Sequence, residues 1–298
     1  AADSILFSDA TDSNANKKDT VQGILDLASG PEFSPQGRLT LTTNVPVTTS
    51  DVTSAGTVYF TPFDGRYIWL YNTTSSIWER ITFSQISIAL SGGTASKPHD
   101  IFCYNNSGTA TLELVAWTNN TTRATALALQ DNKYIKSGDA SRLYLGTTYL
   151  DGSKQAEDSV TMRGLWNYYN RKNRRMVKLE ATASWTYSTS TGRYVDNDAA
   201  NRLDFVIGVS EEPVEVFTKI TVEDSGSAHL NIEAGPVLDG VGFASLATPR
   251  IQHWNPAANK KFPIHGRYRG LPGIGFHFIA FIEYSGASGT TWHGDSHS

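Results

Sequence analysis

The sequence predicts a mainly β protein: two antiparallel modules of β-sandwich or jelly-roll type, a short α-helical N-terminal connector and one linking helix. Charged residues make up only 18% of the chain, against roughly 25% in typical soluble domains. Thr, Ser and Asn replace them in segments such as 39–44 and 117–122, and these residues suit exposed strands and turns better than helices. Short alternating apolar runs also recur between turn residues, which is the spacing of β-hairpins. Because 298 residues exceed the usual size of a single core, we expect two packed modules and a small extra segment.

Residues 1–36 form the predicted connector. A strand at 4–7 and a polar turn at 9–18 precede a short helix that Asp19 can cap. The apolar residues of this helix follow the i, i+3, i+4, i+7 spacing of one helical face, namely Val21, Ile24, Leu25 and Ala28. Gly30 and Pro31 supply its end. The segment is too short to bury this stripe itself, so we expect the stripe to contact another subunit or an upstream shaft.

Residues 37–156 form the predicted first module. We expect strands at 57–60, 66–71, 77–83, 100–104 and 109–117, separated by Asp-Gly and Asn-rich turns. The aromatic-rich runs 66–71 and 77–83 could offer rings for stacking on sugars. On facing strands such rings more often belong to the core or to cross-strand pairs, so we expect the second arrangement.

Residues 157–298 form the predicted linking helix and second module. The helix covers 157–172 and begins at Asp158 or Ser159. Its apolar residues share one helical face, namely Met162, Leu165, Trp166 and Tyr169. Strands are expected to follow at 176–187, 193–195, 203–210, 214–222, 229–233 and 275–284, with Gly- and Pro-rich crossings over 255–275.

Charge and composition argue against several classes of partner. The net charge is −4 and the pI is about 6.0, so no global charge draws the chain to nucleic acid or to an anionic membrane. No apolar run approaches the ~20 residues that span a bilayer, and the N-terminus lacks a signal-peptide pattern. We therefore expect synthesis in a host cytoplasm and no membrane insertion. Cys103 lies in an apolar run and is expected to be a buried small hydrophobe.

Two parts of the chain resemble the tail-fibre and appendage virion proteins of tailed phages. The first is the connector, in which a phenylalanine, an acidic turn, Lys17-Lys-Asp-Thr20 and a short helix follow one another. The second extends from Leu39 to the end and carries Leu165-Trp-Asn-Tyr-Tyr-Asn-Arg171 and Ile282-Glu-Tyr-Ser-Gly-Ala-Ser-Gly-Thr-Thr291. The resemblance covers nearly the whole chain.

The resemblance implies a virion surface protein, commonly a homotrimer, that joins other virion proteins through its N-terminal segment and presents β-domains outward. It supplies no catalytic residues and no cofactor. A tail-fibre or other receptor-binding appendage is the expected function, with a host surface glycan as partner. The alternative is a capsid or tail decoration protein without a receptor. A glycan-cleaving tailspike is less expected, since the long parallel β-helix repeats of such enzymes are missing from the sequence.

Motifs for catalysis are not found in the sequence, which predicts that the chain is not an enzyme. It contains no phosphate-binding loop, no zinc-protease motif and no dinucleotide fingerprint. Gly294-Asp295-Ser296 superficially resembles the nucleophile segment of serine hydrolases. A nucleophile elbow needs a helix after this segment, and the few residues that follow it in the sequence are too short to form one. Carboxylate pairs for glycosidic cleavage could form in space from Asp196, Asp198, Glu211, Glu212 and Glu215, and no feature selects one pair.

The last residues offer one candidate metal site. His293, Asp295 and His297 alternate, so an extended chain places them on one face, and three copies around an axis could offer nitrogen and oxygen ligands. A frayed polar terminus without metal is the expected alternative.

Candidate receptor or subunit contacts fall into two groups. One is a basic cluster at the end of the predicted helix, namely Arg171, Lys172, Arg174 and Arg175, with Lys178 beside it. Tyr168, Tyr169 and Met176 beside these cations would also allow nucleic acid to bind, but the acidic chain argues against it. We expect a solvated helix end before either kind of contact, because the helix dipole favours cations there. The other group is the loop residues His253 and Trp254, with Trp292 in the polar terminal segment. Trp254 could instead fix its own loop onto the sheet.

Overall fold

A computed structural model describes residues 4–9, 15–20, 34–224, 232–242, 251–253, 260–286 and 290–294. For 4–9, 15–20, 224, 251–253 and 260 it describes the backbone alone. Contacts divide the chain into two compact units, Ala1–Pro35 and Gln36–Ser298.

The first unit contains an antiparallel hairpin of β1 (Ser4–Asp9) and β2 (Ala15–Thr20), in which Ser4 pairs with Thr20. The predicted strand at 4–7 is therefore confirmed. The predicted polar turn at 9–18 was too long, since residues 15–18 are already in β2. Asp19, expected to cap a helix, also lies in β2, and the rest of the predicted helix falls in 21–33, outside the described residues.

The second unit is made of short strands joined by turns. Its first half contains one 3-10 turn at Leu90–Gly92 and the following strands: β3 (Gly37–Thr40), β4 (Val52–Ala55), β5 (Thr57–Pro62), β6 (Tyr67–Asn72), β7 (Ile77–Thr82), β8 (Ile86–Ala89), β9 (Lys97–Asn106), β10 (Thr109–Ala116), β11 (Leu127–Gln130), β12 (Lys133–Lys136) and β13 (Asp139–Leu150).

The second half contains one 3-10 turn at Val195–Asn197 and further strands: β14 (Ala156–Asp158), β15 (Met162–Arg163), β16 (Leu165–Asn167), β17 (Trp185–Thr186), β18 (Arg193–Tyr194), β19 (Arg202–Ile207), β20 (Val214–Asp224), β21 (Ile232–Leu238), β22 (Ile251–His253), β23 (Lys260–Gly270), β24 (Gly275–Ser285) and β25 (Thr290–His293). The two 3-10 turns are the only helical elements of the described residues, so the chain is mainly β, as predicted. No helix in the described ranges has the length and apolarity needed to cross a membrane.

The strands of the second unit form five sheets. The largest has the order β22-β21-β24-β19-β15-β14-β4, with β18 also on β24, and the next has the order β10-β9-β13-β12-β11, with β16 also on β13. Smaller sheets have the orders β17-β25-β20-β23, β3-β5-β8 and β6-β7. Every pairing is antiparallel except that of β15 with β19. The largest sheet takes strands from both sides of the expected boundary at 156/157, and the two-module division stays a prediction.

One large core cluster lies between the six-stranded sheet, the β3-β5-β8 sheet and β6. Its fully buried residues include Leu39, Val58, Ile68, Cys103 and Leu143. A second cluster lies under the four-stranded sheet and includes Val222, Ile264 and Trp292. Alternation along each strand produces both cores, because every second side chain points to the same face. Cys103 is a buried free thiol, as predicted.

The predicted linking helix at 157–172 was wrong, because that segment forms β14, β15 and β16. Its backbone bonds to strands that are distant in sequence: the Tyr149 amide donates to the Gly164 carbonyl at 2.8 Å. The Asn167 side chain accepts from the Leu39 amide at 2.7 Å and donates to the Leu39 carbonyl at 3.1 Å. Apolar residues at helical spacing are therefore used for long-range sheet contacts, and packing overrides the local pattern.

Two other segments differ from the prediction. The expected strand at 176–187 is reduced to Trp185–Thr186, whereas the expected Gly- and Pro-rich crossing contains the 11-residue β23. Pro263 is compatible with β23 because this strand pairs only with β20 among the described strands, and proline is tolerated on an edge. The turn predicted between the strands 100–104 and 109–117 is confirmed but shorter, since 105 and 106 still belong to β9; φ is 51° at Ser107 and 89° at Gly108.

Candidate functional site

Half-buried aromatic rings gather on the face of the six-stranded sheet that is opposite the large core. Tyr134 is on β12 and Trp166 on β16, while Tyr168 directly follows β16. The Tyr168 ring lies 5.2 Å from the Tyr134 ring and 6.0 Å from the Trp166 ring, between centroids. We call Tyr134, Trp166 and Tyr168 the aromatic surface. Leu129, which is 62% exposed, is paired with Tyr134 across β11 and β12 and extends this apolar area.

Arg171 covers one side of the aromatic surface. Its guanidinium carbon lies 5.0 Å from the Trp166 ring centre and 5.7 Å from that of Tyr168. The same guanidinium donates to Glu211 at 2.8 Å and pairs with Glu212 at 3.2 Å. Burial, followed by the charge of Glu211, raises the pKa of the Tyr168 hydroxyl, which therefore stays a hydrogen-bond donor at neutral pH. Rings bordered by hydrogen-bonding groups are suited to stacking on the apolar face of a sugar.

A buried polar network supports the aromatic surface from below. Arg123 donates to Asp100 through Nε at 2.7 Å and Nη2 at 3.2 Å, and to the Gly208 carbonyl at 2.6 Å. Tyr144, fully buried, shares a 2.6 Å hydrogen bond with Thr147, which donates to Asp100 at 2.7 Å. Burial raises the pKa of Asp100, and the Arg123 charge opposes the rise.

This network has a structural role and not a catalytic one. The Arg123 guanidinium carbon also lies 4.5 Å from the Trp117 ring centre, so the segment 117–123 is fixed onto the sheet. Asp100 and Tyr144 have almost no exposed surface, and a substrate would not reach them. A buried carboxylate elsewhere is held in the same way: Glu283 accepts from Arg193 and from Trp185 Nε1, both at 2.7 Å.

The carboxylates considered for glycosidic cleavage are bound by other groups of the chain. Glu211 and Glu212 share Arg171, Glu215 accepts from Arg267 at 2.7 Å, and Asp196 accepts from the Thr182 hydroxyl at 2.7 Å. Within the described ranges, no three His, Cys, Asp or Glu residues are grouped as a metal site.

The predicted basic cluster does not stay together as a solvated helix end, because no helix is present there. Arg171 belongs to the aromatic surface as described. Arg174 pairs with the buried Asp158, and the Lys172 ammonium lies 5.1 Å from the Phe63 ring centre. The Arg175 side chain is exposed, while its carbonyl accepts from Arg163.

Trp292 corrects the prediction of an exposed terminal contact. Its ring is fully buried in the core beneath the four-stranded sheet, and Nε1 donates to the Tyr187 carbonyl at 3.1 Å. His293 follows it on the outer face, with Nε2 3.2 Å from a Glu223 oxygen. Asp295, His297 and Trp254 lie outside the described residues, and His253 is described only as backbone in β22.

The aromatic run at 66–83 follows the expected arrangement in part. Ile68 and Leu70 are buried, and Tyr71 forms a cross-strand ring pair with Trp78 at 5.4 Å. Tyr67 remains 36% exposed. Sequence reasoning missed Tyr134, whose strand reads Lys133-Tyr-Ile-Lys136 and shows no alternation of charged and apolar residues.

An open concavity of about 390 Å³ lies beside the edge strand β10. Its apolar lining includes Ile88 and Leu114, and its polar lining includes Tyr104, Glu113 and Arg142. Arg142 stacks 3.8 Å from the Tyr104 ring centre and donates to Glu113 at 2.9 Å, so these polar groups already satisfy one another.

No family model matches the chain, and searches of curated proteins and of solved structures found no match.

Proposed function

We propose that this chain is a structural virion protein of a tailed phage, and that it acts as a tail-fibre or receptor-binding appendage that contacts a host surface glycan. The observation that carries the adhesive part is the aromatic surface, in which Trp166 and Tyr168 come from the segment that resembles phage appendage proteins. Half-buried rings bordered by Arg171 and two carboxylates combine stacking area with hydrogen-bonding groups, which is what a sugar requires of a binding surface.

The proposal includes a homotrimer of two antiparallel sandwich modules per chain, joined to other virion proteins through residues 1–36. It describes a binding protein and not an enzyme. The buried carboxylates Asp100 and Glu283 support the second point, because each is occupied by an arginine and shielded from solvent. Incubation of host polysaccharide with the protein should release no new reducing ends.

Binding of the purified full chain to host cells and to their isolated surface polysaccharide tests the adhesive role. Trp166→Leu and Tyr134→Ser remove stacking area and should each weaken binding roughly tenfold, with melting temperatures measured to verify folding. Tyr67→Ser is the control, because Tyr67 is an exposed ring on a different hairpin. If the wild-type protein binds neither cells nor polysaccharide, while antibodies still locate it on the particle, a decoration protein replaces the appendage.

A further inference from the structure

The outer face of the four-stranded sheet carries an excess of positive charge. Alternation along β20 and β23 buries Ile220, Val222, Phe262 and Ile264 beneath the sheet and turns the intervening residues outward. Among the side chains of these strands that the structure describes, the outward charged residues are Glu215, Lys219, Glu223, Lys261, Arg267 and Arg269, of which four are cationic and two anionic. This excess is notable in a chain with net charge −4. We call the outward side chains of β20 and β23 the basic face.

Ion pairs leave two of the four cations without a carboxylate. Arg267 donates to Glu215 at 2.7 Å, and Lys261 lies 3.6 Å from Glu223. Lys219 and Arg269 are exposed and make no ion pair with any residue that the structure describes. They are therefore available to an anionic partner.

An exposed aromatic ring lies between these two cations. Phe217 is 70% exposed and pairs with Arg267, whereas Lys219 pairs with His265 and Glu215 with Arg269. Phe217 is thus two residues from Lys219 on one side and two register positions from Arg269 on the other. With about 3.4 Å per residue, the two cations are about 14 Å apart, with the ring midway.

Protection of an unpaired edge strand explains part of this composition, since lysine and proline on an edge discourage pairing with other chains. It does not explain Phe217, because an exposed phenylalanine on the same face favours association. Lys219 and Phe217 on β20 and Arg269 on β23 instead lie on one diagonal across the two strands and could together contact an extended ligand.

We propose that the basic face is a second binding surface, separate from the aromatic surface, and that its ligand is a carboxylate-bearing polysaccharide. One sugar ring would stack on Phe217, while Lys219 and Arg269 bind carboxylates of the sugars on either side of it. Single-stranded nucleic acid fits less well, because its successive bases stack on several aromatic rings. Phe217 is the only outward Phe, Tyr or Trp among the described side chains of β20 and β23.

Binding of the full chain to polygalacturonate tests the proposal, with fully methyl-esterified polygalacturonate as the uncharged probe and an oligothymidylate as the phosphate probe. We expect binding to polygalacturonate that weakens with added salt, and little binding to the ester. Lys219→Gln combined with Arg269→Gln should weaken binding roughly tenfold, and Phe217→Ser should weaken it about fivefold.

The matched control is Arg66→Gln combined with Lys154→Gln, which removes the same charge from exposed positions elsewhere and should leave binding unchanged. Equal binding to the ester, no binding to polygalacturonate, or an equal loss in the control would overturn the proposal. Tighter binding to oligothymidylate that is lost in the Lys219 and Arg269 variant would overturn it in favour of nucleic acid. Trp166→Leu should not change binding to polygalacturonate, so this surface and the aromatic surface fail or succeed independently.

Discussion

The aromatic surface and the basic face both combine exposed rings with arginine, but they differ in what the arginine is free to do. Arg171 is shared by Glu211 and Glu212, so the border of the aromatic surface carries a net negative charge. On the basic face, Lys219 and Arg269 have no described carboxylate partner. Local ion pairing, and not the mere presence of basic residues, therefore determines which ligand charge a surface favours.

The two surfaces also differ in the residues that lie beneath them. The rings of the aromatic surface rest on Tyr144 and on the Asp100–Arg123 network, whereas Phe217 stands on the exposed side of a two-strand ribbon. The first surface should therefore respond strongly to changes beneath it, and the second mainly to changes in its own side chains.

The largest expected effect comes from Arg123→Met. It leaves the Asp100 carboxylate buried without its cation, and the free energy of unfolding should fall by about 3–5 kcal/mol. Urea unfolding measures this loss. Adding Asp100→Asn to the variant should restore part of it, because the uncompensated charge is then removed. A loss below about 1 kcal/mol would break the idea that the network supports the aromatic surface.

Gly208→Ala should destabilise the same region by about 1–3 kcal/mol through overpacking. An added Cβ would overlap the Tyr144 hydroxyl and lie 2.5 Å from the Trp166 ring. Trp166 belongs to the aromatic surface, and Tyr144 lies beneath it. Gly56→Ala is the control, since its Cβ would meet no atom within 4 Å. Thermal unfolding of the two variants should separate them clearly, and equal melting temperatures would contradict the tight packing.

Acid should weaken the six-stranded sheet through His99. Burial lowers the pKa of His99, whose Nε2 accepts from the Thr94 amide at 2.9 Å while Nδ1 bonds to the Lys97 carbonyl at 3.0 Å. Because the folded pKa is depressed, the contribution of His99 to stability is complete above the unfolded value of about 6.5 and is lost as pH falls through the folded value.

Unfolding midpoints at pH 7 and pH 5 check this sign. His99→Asn should be less stable than the wild type at pH 7, and the gap should narrow at pH 5. A gap that stays constant between the two pH values would show that His99 does not titrate on unfolding.

A smaller expected change in affinity tests whether ion pairing alone distinguishes the aromatic surface from the basic face. Glu211→Gln with Glu212→Gln leaves Arg171 without its carboxylates. Made in the Lys219→Gln and Arg269→Gln variant, the pair should raise the residual binding of the chain to polygalacturonate about threefold to fivefold. Stability should change by less than about 1 kcal/mol, since both carboxylates are substantially exposed. Binding measured beside the Lys219 and Arg269 variant shows whether ion pairing alone distinguishes the two surfaces. No gain would mean that it does not.

Local patterns predicted the β composition, the turn between β9 and β10 and the burial of Cys103, because turn residues and period-two alternation act over a few neighbours. They failed at 157–172, where apolar residues at helical spacing contact strands far away in sequence, such as the Leu39 backbone. For the same reason, the sequence indicated only part of the aromatic surface. Trp166 and Tyr168 stood in a motif, but Tyr134 joins them through the pairing of β12 with β13.

Phe217 and Trp292 separate what the sequence determines from what only the tertiary structure determines. In the run 214–222, Val214, Val216, Ile220 and Val222 alternate with Glu215, Phe217 and Lys219. A period of two therefore places Phe217 on the outward face with two charged residues, and it is 70% exposed. Trp292 stands between threonines and His293, so alternation selects neither face for it. Only the packing of the four-stranded sheet on its core determines that Trp292 is fully buried.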